Sequence, residues 1–594
     1  MSTVTTRHRL LPPINSPGYY ILLGAVAIFI LGPLGGITAA YMNFSLGFFV
    51  GGQVLAGILG SVVTYGYGAE GKHGANYIQT MAASVAGLAG MAVLVQAMTW
   101  LGLQEPPTWI LILYIMCIGM FGVGVGMLYT PILVDRMRLS FPSGFAVANI
   151  LRALTDIRLL KDSIVKLGGG TLAGIGSGLV ANFWMPLANT GYQASTVGAG
   201  MIVGARIGVP AIVVGAIGVW LTPWLRANGW LDANAPFRKI GFIVALGMIL
   251  GAAIVDMSIL AVSAARQWGQ TKQAEPAPDW RRTDARFLWV WVVFWAIATY
   301  AVAVGLLSQP PLFVVTAILL VFVFLIVNGI SLGISDSNPI SSAFVVTVFI
   351  LAAMGLTNAI TGLICASILL ISTSVGGDMQ QDRSTGWRLG TNRNIQFRFQ
   401  VIGVTMGAVI SVALARLFMK AYPVLAVNQY AHPGAPGAER WQSAMTFKFV
   451  GALSGLTHPN PKIMTALAFG IALGLVTEVL RKVIKGNPAW KAWVKAGRPG
   501  YLADLVLDCV FLPSPYASSF GGFVEFGTSA WFGGGSLLGS AWQTVTGRMP
   551  KKPEHADLPE DMSTVSLVGG GLIAGDSLAA LGIGIWGLLH IVVR

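Results

Sequence analysis

The chain has 594 residues, 55% of them apolar and 10% charged, where a soluble globular protein carries about 25% charge. A water-soluble domain is excluded, and 75 glycines with 18 tryptophans fit a polytopic membrane protein, in which glycine lets helices approach closely and tryptophan gathers at the lipid interface. The net charge of +14 does not point to nucleic acid, because the basic residues lie in short loops between apolar runs rather than on one face interleaved with aromatics.

A spanning helix needs about 20 apolar residues. The polar start shows no signal-peptide cleavage site, and spans are predicted near 19–41, 46–68, 75–101 and 109–130, before a basic loop at Arg136 and Arg138. A shorter, more polar segment near 143–158 follows, then spans near 163–186, 196–224 and 237–262. The stretch 263–287 holds Pro276, Pro278 and mixed charges, so it reads as a cytoplasmic linker. It divides a first membrane half, 1–262, from a second, 288–594, with spans near 287–307, 310–333, 340–357, 359–376, 395–420, 463–484, 503–532 and 564–592. The fold expected is all-α and polytopic, about sixteen transmembrane helices in two similarly oriented repeats. Lys and Arg counted by loop place both termini in the cytoplasm.

Backbone at membrane depth must be hydrogen-bonded internally, so Gly- and Pro-interrupted stretches there should face protein or a watery cavity. Two such stretches, 141–158 and 511–535, each set Pro-Ser ahead of small residues and are read as broken or re-entrant elements. The other reading of Pro142 and Pro513 is that they merely start helices. The glycine runs 121–127 and 168–178 follow no strand and read as helix-packing faces rather than phosphate loops. Cys117, Cys365 and Cys509 are too far apart to define a zinc site or a disulfide framework, and no metal site is expected. Ionisable residues in apolar surroundings are costly and usually functional. Arg152, Asp156, Arg206, Asp256, Asp378, Asp382, Glu478, Asp504, Asp508, Glu525 and Asp576 are the candidates. Glu478 and Asp504 read as helix-end residues, whereas Arg206, Glu525 and Asp576 lie deeper.

Four blocks in chain order resemble the oligopeptide transporter family, which includes the Yellow Stripe-like metal-chelate transporters. GGDMQQDRSTGWRLGTNRNIQFRFQVIG (376–403) is the most specific, with RMRLSFPSGFAVANILRAL (136–154), GANYIQTMAASVAG (74–87) and GLIAGDSL (571–578) beside it. The position before Asn76, glutamate in many family members, is Ala75 here, so coupling through that carboxylate is not carried over. Asn-Pro-Gly and Lys-Ile-Pro-Pro-Arg elements are absent, which draws the resemblance toward the Yellow Stripe-like and prokaryotic branch. The resemblance implies a secondary active, proton-coupled transporter of small oligopeptides or peptide-like metal chelates in a bacterial inner membrane. No cofactor is implied beyond the proton gradient, and the expected partners are the substrate and the lipid bilayer. A homo-oligomer, the substrate and the coupling stoichiometry stay open.

A midplane substrate site is expected from Asn76, Gln79, Thr80, Pro142, Ser143, Gly144, Asn149, Ser514 and Tyr516, whose polar groups have no lipid partner. Proton coupling or gating falls to Asp378, Asp382, Glu525, Asp576, Arg152 and Arg206. In particular, Asp378 is expected at the end of a span, paired with an arginine of a following cytoplasmic loop. No GxxxxGK[ST] ATPase loop is present. The alternatives are a passive channel and an intramembrane enzyme, although neither HExxH nor a Gly-x-Gly-Asp element occurs.

Overall fold

The computed structural model describes residues 11–45, 53–139, 141–155, 157–233, 235–267, 278–335, 338–432, 441, 443–454, 461–546 and 563–592. Asp156 and residues 268–277 of the expected linker lie outside them. The regular structure among the described residues is helical, without strands. In the first part of the chain the helices are α1 (Pro17–Val26), α2 (Gly32–Ser45), α3 (Gln53–Thr64), α4 (Gly71–Ala89), α5 (Val93–Trp100), α6 (Thr108–Thr130), α7 (Pro142–Thr155), α8 (Ile157–Phe183), α9 (Met185–Ala188), α10 (Ala194–Val203), α11 (Ala205–Ala227) and α12 (Arg238–Gln267). In the second they are α13 (Ala285–Ala301), α14 (Pro311–Ser335), α15 (Ile340–Ala353), α16 (Ala359–Leu389), α17 (Arg393–Ala421), α18 (Ala444–Ser454), α19 (Pro461–Gly486), α20 (Pro488–Ala496), α21 (Arg498–Val506), α22 (Pro515–Phe523), α23 (Phe526–Thr546) and α24 (Thr564–Val592).

Among the described residues, 10 helices are long and apolar enough to cross a membrane. The protein is therefore an all-α polytopic membrane protein, with sixteen spans remaining an expectation. Several segments expected as single spans are interrupted instead. Gly204, at φ +79°, separates α10 from α11, and 503–532 is divided among α21, a π-helical turn at Leu507–Phe511, α22 and α23. Such turns and breaks free backbone groups that only surrounding protein can satisfy.

The core forms where helices from before residue 263 meet helices from after residue 287: α4 against α17, α6 against α16, α8 against α24, α12 against α19, and α10 and α11 against α23. The two stretches of chain are thus interdigitated. Glycine rows line two of these contacts, Gly170 and Gly174 against α24 and Gly247 and Gly251 against α19. Backbones can then approach closely where lipid supplies no hydrophobic drive between helices.

Helix α16 differs most from expectation. It was expected to end near residue 376, yet it runs on to Leu389 and ends at Gly390 in the left-handed region, φ +74°. Glycine adopts that conformation without a Cβ clash, making it a frequent helix terminator. Asn392 then caps α17, its side chain accepting from the Asn394 and Ile395 N–H groups.

Candidate functional site

The extended α16 carries charged residues into the protein interior. Asp382 is 2% and Arg383 0% exposed. On α4, Asn76, Gln79 and Thr80 are also fully buried, and the spacing of three residues sets Asn76 and Gln79 on one face. Their amides form a directed chain. Gln396 Nε2 donates to Asn76 Oδ1 at 2.7 Å, Asn76 Nδ2 to Gln79 Oε1 at 2.8 Å, and Gln79 Nε2 to Asp382 Oδ1 at 2.9 Å. Gln396 Nε2 also reaches the Asp382 carbonyl at 3.0 Å, so the chain closes on the residue where it ends. Helices α4, α16 and α17 are tied together by this ring. The Thr80 hydroxyl bonds back to the Asn76 carbonyl at 2.9 Å, the local satisfaction usual for threonine within a helix.

Asp378 lies one turn before Asp382. Its oxygens accept from Asn338 Nδ2 at 3.0 Å and Ser374 Oγ at 3.3 Å, and Asn328 in turn donates to Asn338 at 3.2 Å. Among the described residues, neither carboxylate has a Lys, Arg or His nitrogen within 4.0 Å. Both line a cavity of about water size with Ser84, Gly87, Met379 and Gln400. Both carboxylates are thus held by neutral donors alone, beside space for water.

The arginines of 376–403 do not form a solvated loop and do not pair with Asp378. Arg383 donates to Gln400 Oε1 at 2.9 Å and the Arg393 carbonyl at 3.3 Å. Arg393 makes a two-pronged bridge to Asp135 at 2.7 and 2.9 Å. Buried guanidinium groups need such acceptors, and neighbouring elements supply them.

A second polar region joins α11, α12, α19, α21 and the π-helical turn. Arg206 bridges Asp504 at 2.6 Å and also Asp508. Arg481 and Lys485 reach Asp508 at 2.9 and 2.6 Å. Lys482 bridges Asp256 at 2.8 Å and Glu478 at 3.2 Å. Four acids (Asp256, Glu478, Asp504 and Asp508) thus meet four bases (Arg206, Arg481, Lys482 and Lys485), and their formal charges cancel.

A family model described as OPT oligopeptide transporter protein matches residues 18–586. The chain belongs to this family. Among curated relatives, the Oryza sativa subsp. japonica protein named Probable metal-nicotianamine transporter YSL8 is 24% identical, over 55% of this chain and 56% of its own length. Another rice protein, named Probable metal-nicotianamine transporter YSL17, is 23% identical over 63% of the chain and 62% of its own length. A Haemophilus influenzae protein named for oligopeptide transport is 24% identical over 67% of the chain and 70% of its own length. The chain therefore spans less than two thirds of the length of these two rice relatives.

In this oligopeptide transporter family member, the expected substrate residues and the expected coupling or gating residues do not keep to their two groups. Asn76, Gln79, Thr80, Asp378 and Asp382 come together. The Pro-Ser-Gly element stands beside them: Pro142 begins α7, and the Gly144 carbonyl accepts from Thr385 Oγ1 at 2.9 Å. A Cβ on Gly144 would collide with the Gln381 backbone, so α7 and α16 touch there through glycine. Ser143 and Asn149 are buried on α7, and Arg152 donates to the Arg388 carbonyl; none of them lines the cavity.

Ser514 and Tyr516 do not join that site. Ser514 precedes α22, its carbonyl accepting from Ser518, while Tyr516 donates to Asp256 Oδ2 at 2.9 Å. Tyr516 and Arg206 therefore both belong to the ionic region. Asp576 accepts from the Ser195 hydroxyl at 2.5 Å and the Ser195 N–H at 3.1 Å, which places its carboxylate at the α10 N-terminus, where a negative charge is favoured. Glu525 is exposed between α22 and α23. Sequence reasoning passed over Gln396, Gln400 and Asn338, although amides within apolar runs were the available signal. No group of three or more His, Cys, Asp or Glu among the described residues is placed to hold a metal ion.

Proposed function

We propose that this protein is a secondary active transporter, driven by protons, for small oligopeptides or peptide-like metal chelates across a bacterial inner membrane, and that Asp382 with Asp378 carries the coupling proton. The observation that carries this reading is a buried carboxylate, Asp382, with the half-buried Asp378 one helical turn away, both bonded only by neutral donors at a water-sized cavity. Family membership supports a transporter, and the names of the relatives support a substrate of peptide or chelate chemistry.

The amide chain gives the proton a mechanical consequence. With Asp382 ionised, Gln79, Asn76 and Gln396 all donate toward it, and the ring holds α4 and α17 against α16. A protonated Asp382 is a donor at one oxygen. When that oxygen is Oδ1, Gln79 presents its carbonyl instead of its amide nitrogen, and Asn76 and Gln396 reorient in turn, because bonds in such chains reinforce one another. Proton binding at α16 thereby switches the contact of the three helices between two hydrogen-bonded arrangements. An alternating-access cycle needs such a two-state contact.

Uptake into proteoliposomes of labelled di- to hexapeptides, glutathione and ferric chelates, with and without an inward proton gradient, tests the proposal. Saturable uptake that depends on the gradient in the wild type and is lost in Asp382→Asn is the expected result. Uptake that persists after the gradient has collapsed would instead indicate a passive channel.

A further inference from the structure

Helix α20 begins two residues after the membrane-crossing helix α19 ends, with Asn487 as its cap, and none of its residues is buried. Its nine residues, PAWKAWVKA, are amphipathic. Trp490, Trp493 and Val494 fall on one face at helical spacing, and Lys491 and Lys495 lie one turn apart on another. The rings of Trp490 and Trp493 meet edge to face at 5.3 Å, and Trp493 is 46% exposed. Arg498 follows at the start of α21. Among the described residues, Lys491, Lys495 and Arg498 have no carboxylate within 4.0 Å. They contrast with Arg481, Lys482 and Lys485 of the preceding helix, each of which is paired.

We infer that α20 is an interfacial helix whose Lys491, Lys495 and Arg498 bind the headgroups of anionic phospholipids in the adjoining leaflet. The position at the end of a span fixes the depth, the tryptophans suit the headgroup boundary, and three uncompensated cations supply the charge complement. Trp490 Nε1 also donates to Asp504 Oδ1 at 3.1 Å, and Asp504 holds Arg206 and Lys485. Trp490 thus connects α20 to the side chain that ties α21 to α11 and α19.

The test labels the full-length protein at Ala492→Cys with an environment-sensitive fluorophore, Cys117, Cys365 and Cys509 being buried. The protein is reconstituted in equal mixtures of phosphatidylglycerol and phosphatidylcholine, with the brominated chains carried by one lipid or the other. Stronger quenching by brominated phosphatidylglycerol is expected, with local enrichment of up to about fivefold per basic residue. The preference should vanish in Lys491→Gln/Lys495→Gln/Arg498→Gln and weaken as sodium chloride is raised. Circular dichroism and size exclusion identify whether the triple variant is folded, and single substitutions replace it if it is not. Equal quenching by both lipids, or a preference that survives loss of all three charges, overturns the inference.

Discussion

Asp382 and Asp508 are both buried carboxylates, 2% and 5% exposed, but their surroundings are opposite. Asp508 is met by Arg206, Arg481 and Lys485 within an ionic region whose formal charges cancel. Asp382 is met by an amide of Gln79, and Asp378 beside it by Asn338 and Ser374. A carboxylate surrounded by cations is bound to several elements at once, so it serves to join helices. One surrounded by neutral donors in a desolvated place can gain and lose a proton without tearing apart an ion pair. Under the proposed function, the contrast makes the region of α11, α12, α19 and α21 an attachment and the region of α4, α16 and α17 the switch.

The largest effect expected from this contrast is on transport. Asp382→Asn preserves shape and removes the charge toward which the amide chain points. With no group left at this position to take up and release a proton, gradient-driven uptake should be lost. Thermal stability should hold or rise, because a desolvated carboxylate without a countercharge has been removed. Wild-type uptake in this variant would remove Asp382 from the coupling step.

Asp508→Asn should do the reverse. Arg206, Arg481 and Lys485 would keep their charges with one acceptor fewer, and breaking a buried ion pair on one side costs about 3 kcal/mol. Arg206 and Lys485 are partly exposed, so solvent screening reduces that figure. A lower melting temperature in detergent is expected, with uptake per folded molecule close to wild type. If uptake fell as steeply as in Asp382→Asn at unchanged stability, the two regions would not divide the work as the geometry indicates.

Composition and hydropathy made the all-α membrane fold legible, because lipid dictates apolar runs wherever the chain crosses it. That Gln79 meets Asp382 was not legible, because the first was expected in a midplane substrate site and the second at a cytoplasmic gate. Nor was the end of α16, because the acidic and basic residues after Gly376 look like the edge of a span. The signal that stops the helix is Gly390 with Asn392, fourteen residues further on. A charged run can continue at depth where every charge has an internal partner, and such partners come from distant sequence, as Asp135 does for Arg393. For the same reason, linear order could not distinguish Tyr516, beside Pro-Ser-Pro, from a cavity residue. Its partner Asp256 lies 260 residues away.

Tyr516→Phe gives the smallest effect and separates those two readings of α22. The phenol oxygen makes one hydrogen bond, to Asp256, while the ring packs in an apolar cluster with Ile249, Ala252 and Ile326. Removing the hydroxyl keeps the ring and leaves Asp256 its bridge to Lys482 at 2.8 Å. The loss is one hydrogen bond to a charged group partly compensated elsewhere, about 1 kcal/mol of stability. A residue that lined the substrate site would instead change apparent affinity with little change in melting temperature. Concentration-dependent uptake and thermal unfolding of the same preparation distinguish the two, and the ionic-region reading requires a small drop in melting temperature at unchanged apparent affinity.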